Sequence, residues 1–88
     1  MIGMLATSKA GHDCKEVFVI VREEEEYVYL ADGKARSLAK PKRKNKKHIQ
    51  LIKKNKNEEL AERLTMQQPV RDEEIKRMIT LYKAEREG

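Results

Sequence analysis

Three side chains in this sequence could hold a metal or activate a nucleophile: His12, Cys14 and His48. A structural zinc needs four ligands of this kind, and two histidines with one cysteine leave the set one short. A thiolate nucleophile needs a basic neighbour, which His12 could supply two residues from Cys14. Nothing nearby offers an oxyanion hole, so no catalytic residue, metal ligand or cofactor is expected and the chain reads as a non-enzyme. Cys14 has no second cysteine to pair with, which fits a reducing compartment and a cytoplasmic location.

The other residues able to do something chemical are cationic. Of the 20 Lys/Arg residues, nine lie within residues 39–56, where there is no Asp or Glu. The segments on either side carry a small acidic excess, so all of the net charge of +5 comes from that one window. A concentrated, acid-free stretch suits a polyanion, because each phosphate neutralised releases condensed counterions. The window is rich in lysine, with Arg43 its one arginine. Lysine serves contact with phosphate, whereas arginine favours bidentate reading of bases, so recognition of shape and backbone is expected.

Elements that could position these cations follow from the apolar pattern. Charged residues make up 40% of the chain and hydrophobic ones 39%, too many of the latter for disorder throughout. Over 88 residues such a core supplies roughly 3–5 kcal/mol, which argues against a deep active-site cleft. The uncharged run Met1 to Ser8 is too short for a membrane span and lacks the basic leader of a signal peptide, so no membrane partner is expected.

Gly3 to Thr7 reads as a first strand, and Ser8 to Asp13 as a turn with Gly11 at positive φ. Val17 to Val21 is the strongest strand signal, its unbroken apolar character predicting burial on both faces or a bend within a barrel. Glu23 to Glu26 reads as a solvated hairpin tip. Tyr27 to Ala31 is the next strand, followed by Asp32-Gly33 as a two-residue hairpin turn and Lys34 to Arg36 as its return. Tyr27 and Tyr29 face one side of their strand, available for packing or base stacking. Pro41 opens the basic stretch as a loop, and His48 to Ile52 resumes apolar alternation. Asn57 can cap a helix from Glu58, Pro69 ends it, and Asp72 starts a second helix with Ile75, Met78, Ile79 and Tyr82 along one stripe.

Residues 5–13 (Leu-Ala-Thr-Ser-Lys-Ala-Gly-His-Asp) followed by Val17-Phe18-Val19-Ile20-Val21 resemble the KOW motif. Tyr27 to Arg36 and then Pro41 to His48 continue the likeness, which covers residues 1–55, to small KOW-domain RNA-binding proteins of Gram-positive bacteria. Those proteins resemble in turn the barrel of an archaeal and eukaryotic large-subunit ribosomal protein family. The resemblance implies a mainly β fold, a small SH3-like barrel over residues 1–55 with its basic segment at 39–56, then a helical extension over 57–88. It implies a non-enzymatic RNA-binding protein associated with the ribosome and translation, in contact with large-subunit ribosomal RNA and with ribosomal proteins, and taking no small-molecule substrate. Gly11 maps onto the motif's defining glycine; Lys15 stands where many relatives have a small residue.

The RNA-contacting residues expected on this reading are Ser8, Lys9, Gly11, His12 and Arg36 around the loop. The phosphate grip is expected from Lys40, Lys42, Arg43, Lys44, Lys46, Lys47 and His48. Two rival uses of such a barrel are a transcription-elongation module and an SH3-like protein-interaction module. The first lacks its usual companion domain in so short a chain. The second needs an aromatic-lined groove, for which one Phe, three Tyr and no Trp are poor material.

Overall fold

The computed structural model of the protein describes residues 1–9, 16–53 and 56–87. Five strands, β1 (Leu5–Ser8), β2 (Val17–Glu23), β3 (Tyr27–Ala31), β4 (Lys42–Asn45) and β5 (Ile49–Ile52), form one antiparallel sheet in the order β4-β3-β2-β1-β5. A 3-10 turn, Lys46–His48, leads directly from one edge strand to the other. It is tied at both ends: Lys46 N–H donates to the Glu26 carbonyl at 2.9 Å, and Lys9 N–H donates to the His48 carbonyl at 2.8 Å. The sheet curls so that three residues suffice to join its edges, which gives a small barrel-like fold of the expected SH3-like kind. Two helices, α1 (Glu58–Thr65) and α2 (Asp72–Glu87), complete a mainly β domain with an α-helical tail.

The unbroken apolar run of β2 is explained by two cores, one on each face of the sheet. Phe18 and Ile20 point to the inner side with Ala6, Val28, Leu30 and Ile49. Val17, Val19 and Val21 point outward, where Leu60 of α1 and Ile75, Met78 and Ile79 of α2 cover them together with Leu5 and Ala31. Period-2 alternation therefore holds in β2, but both of its faces are dry. The helices lie on the sheet and share its outer core; the radius of gyration, 11.8 Å, matches the about 12 Å of a single compact domain of this length.

Local signals account for the helix boundaries. Asn57 Oδ1 accepts from Leu60 N–H at 3.0 Å, capping α1 as its position predicts, and Glu58 and Glu59 sit against the positive end of the helix dipole. Arg63 near the end of α1 forms a two-pronged pair with Glu74 in the first turn of α2, with Nη1 to Oε2 at 3.1 Å and Nη2 to Oε1. Gly3 lets α1 approach β1: its φ is +86°, and a Cβ there would lie 2.5 Å from the Ala61 Cβ.

Two elements differ from the sequence expectation. Lys34 to Arg36 is not a return strand. Asp32 Oδ1 accepts from the N–H groups of Lys34 (2.8 Å) and Arg36 (2.9 Å), and the Arg36 carbonyl accepts from Asp32 and Gly33 N–H. That closed turn consumes backbone groups a ladder would need. Gly33 does adopt positive φ, +78°. The strand beside β3 is instead Lys42–Asn45, read from the sequence as loop, with Lys44 opposite Val28 and Lys42 opposite Leu30. The expected positive φ of Gly11 and the position of Lys15 lie outside the described residues.

Candidate nucleic-acid interface

Because β4 is a strand, the lysine run cannot present all its side chains on one surface. Alternation places Lys42 and Lys44 on the inner side of the edge, beside Leu30 and Val28, and Arg43 and Asn45 on the outer side, with Tyr29 and Tyr27. Pro41, which has no N–H to offer a ladder, sits just before the strand begins. β4 has a strand neighbour on one side alone, and a lysine-rich edge also discourages pairing with a second sheet. Arg43 lies over the Tyr27 ring, its guanidinium carbon 3.9 Å from the centroid, a cation–π contact that orders the arginine.

The 3-10 turn carries the rest of the run. Asn45 Oδ1 accepts from Lys47 N–H at 2.9 Å, fixing the entry to the turn. Lys47 and His48 are exposed. Lys9, at the end of β1, is exposed too, and its backbone bond to His48 brings it to the same corner. Lys46 is engaged inside the protein: its Nζ donates to Glu23 Oε2 at 2.8 Å, while Glu23 Oε1 accepts from the N-terminal ammonium at 3.0 Å. These two partners, Lys46 foremost, hold the Glu23 carboxyl below its ordinary pKa.

The remaining expected contacts divide. Lys40 is exposed at the entrance to β4, its N–H bonded to the Ser37 carbonyl at 3.1 Å and hydroxyl at 3.2 Å. Arg36 belongs to the Asp32 turn, which packs through Gly33 on the first turns of α2. Ser8 is a correction: at 3% exposure it is part of the β1–β5 pairing, opposite Ile49, and is not a surface residue. Gly11 and His12, with Cys14, lie outside the described residues.

One cation escaped the sequence reading. A β-bulge between Ile20 and Arg22 shifts the β2 register so that Arg22 stands opposite Tyr29, on the outer face. Its guanidinium carbon lies 5.1 Å from the Tyr29 centroid. Glu24 holds both partners, accepting from the Tyr29 hydroxyl at 3.0 Å and lying 3.7 Å from Arg22 Nη2. Nothing in the residues Val-Arg-Glu marks a bulge, so strict alternation assigns Arg22 to the wrong side.

Among the described residues, no three His, Cys, Asp or Glu side chains gather as a metal site, and no helix is long and apolar enough to cross a membrane. No protein-family model matches the chain, and no curated protein matches its sequence.

Proposed function

We propose that this is a cytoplasmic, non-enzymatic RNA-binding protein of the KOW type that associates with the ribosome through large-subunit ribosomal RNA. The observation that carries the reading is the placement of Lys40 to His48. The acid-free run forms an edge strand and a closing turn tied to the hairpin tip at Glu26 and to β1 at Lys9. Cations on such a frame lose less backbone freedom on binding than the same residues on a loose loop. Lys9, Lys40, Arg43, Lys47 and His48 are the exposed members, and they would contact phosphates without reading sequence. The residues quoted for the KOW resemblance fall on β1, β2, β3 and β4, which adds support from the fold without identifying the family.

The test is sucrose-gradient fractionation of a lysate of cells expressing the protein, at low and at high salt. Co-migration with large subunits that is lost as salt rises is the expected result. Migration at the top of the gradient at every salt concentration would overturn the ribosomal assignment.

A further inference from the structure

We propose that the outer face of β2, β3 and β4 holds a seat for one unpaired RNA nucleotide, with its base on the Arg22–Tyr29 stack and its phosphate towards Lys40. The inference rests on the RNA-binding reading above and changes what is recognised: an unstacked base in addition to a charged backbone.

The bulge in β2 is the first step. It makes Tyr29 the register partner of Arg22 on one side and of Arg43 on the other. Arg22 lies over Tyr29, and Arg43 lies over Tyr27, so four side chains alternate as cation and ring across three neighbouring strands. A guanidinium stacked on a ring has a second flat face. Being weakly hydrated, it accepts another π-system there at little desolvation cost. The Arg22 side chain retains 68% of its exposure, so that face is open. Single-stranded RNA is recognised by bases laid on aromatic rings and arginine planes, whereas a paired base has both faces occupied within its helix.

The surroundings are those of a nucleotide rather than of a bare ion. Beside the stack is a cavity of about 510 Å³ lined by Arg22, Tyr29, Leu38, Lys40, Pro41 and Leu64, among others. Its volume is in the range of small-ligand pockets, and its apolar walls match the faces and edges of a base. Charge gives it a direction. Lys40 is the cation of the lining opposite the stack, exposed and with its backbone fixed by Ser37. Glu24, behind Tyr29, repels phosphate from the other end and can accept from an amino or imino group on a base edge. The phosphate therefore goes to Lys40 and the base edge towards Glu24.

The experiment uses the full chain and two RNA probes. One is a single strand of about ten nucleotides with a central 2-aminopurine, within the usual site size, and the other is a blunt duplex of the same length. Expected is a change in 2-aminopurine emission on binding. Arg22→Gln and Tyr29→Leu each weaken single-strand binding about tenfold and leave duplex binding unchanged. Lys47→Gln, outside the seat, weakens both probes alike. Arg22→Lys keeps the charge and removes the plane; it behaves like Arg22→Gln if stacking is what counts, and tests the seat on an exposed residue should Tyr29→Leu fold poorly. Should the Arg22 variants weaken both probes equally, or neither, while Lys47→Gln acts as stated, the nucleotide seat is overturned and RNA binding stands. If the wild-type protein binds neither probe at about 0.1 M salt, where charges within about 10 Å are still felt, both readings fall.

Discussion

Lys46 donates to Glu23 at 2.8 Å, so one cation in the middle of the basic segment is already neutralised by the protein itself. Its neighbour Lys47 is exposed one residue further along the same turn. The two lysines should therefore contribute unequally. Neutralising Lys47 should lower the salt slope of RNA binding by about one. Lys46→Gln should lower it by clearly less, and Glu23→Gln, which releases Lys46, should raise affinity. Fluorescence anisotropy with labelled RNA over a salt series measures all three. Equal slopes for Lys46→Gln and Lys47→Gln would show that the Glu23 pair does not hold in solution.

Acid should weaken the fold through two carboxylates. Lys46 and the N-terminal ammonium lower the pKa of Glu23; Arg63, and then the Arg71 N–H, lower that of Glu74. A carboxyl with a lower pKa folded than unfolded stabilises the protein above its unfolded value, and that stabilisation is lost as pH falls through the folded value. Stability should thus decline below about pH 4.5, and Glu23→Gln and Glu74→Gln should each make the decline shallower while lowering stability at neutral pH. Urea titrations between acid and neutral pH check this; an unchanged pH slope in both variants would contradict it.

The two-faced burial of β2 and the cap at Asn57 could be read from the sequence because each depends on residues close together in the chain. Val17 to Val21 has no polar position to give to solvent, and Asn57 precedes Glu58-Glu59 as a helix start should. β4 could not be read in this way. Lys-Arg-Lys-Asn has no apolar alternation, and it is a strand because β3, more than ten residues earlier, offers it a ladder. The Asp32 turn was misread because the carboxylate takes two backbone N–H groups and Leu38 N–H bonds to Asp72, 34 residues away. In the site, the lysines were visible as composition, whereas the Arg22–Tyr29 stack depends on a bulge with no residue signature.

Gly3 and Gly33 should be the backbone positions least tolerant of a side chain. Both have positive φ, and at both a Cβ would meet a helix: Ala61 of α1 at Gly3, and the Asp72 carbonyl of α2 at Gly33. The left-handed conformation alone costs a non-glycine residue about 1–2 kcal/mol, before the helices are displaced. Gly3→Ala and Gly33→Ala should therefore each lower unfolding free energy by about 2 kcal/mol or more, a figure that combines this strain with overpacking. Chemical denaturation gives the value directly. A loss below half a kilocalorie, about the scatter of ordinary surface substitutions, would mean that the helices are not held this close.

The helices should unfold with the sheet and not before it. Ile75 is fully buried and lies in one cluster with Val17, Val19 and Val21 of β2 and Leu60 of α1. Truncating it removes contacts with both layers, and a buried Ile→Ala change typically costs about 2–5 kcal/mol. Leu81 is on the same helix but 55% exposed, so Leu81→Ala should fall within about 0.5 kcal/mol of the parent. Helical and strand signals, followed by circular dichroism and by the tyrosine fluorescence of Tyr27 and Tyr29, should give one coincident transition in the parent. In Ile75→Ala that transition should move to lower denaturant as a whole, because the outer faces of Val17, Val19 and Val21 have no other cover. If helical signal were lost first while the tyrosine transition stayed in place, the sheet would be stable without its tail and the shared core would not be what holds the fold.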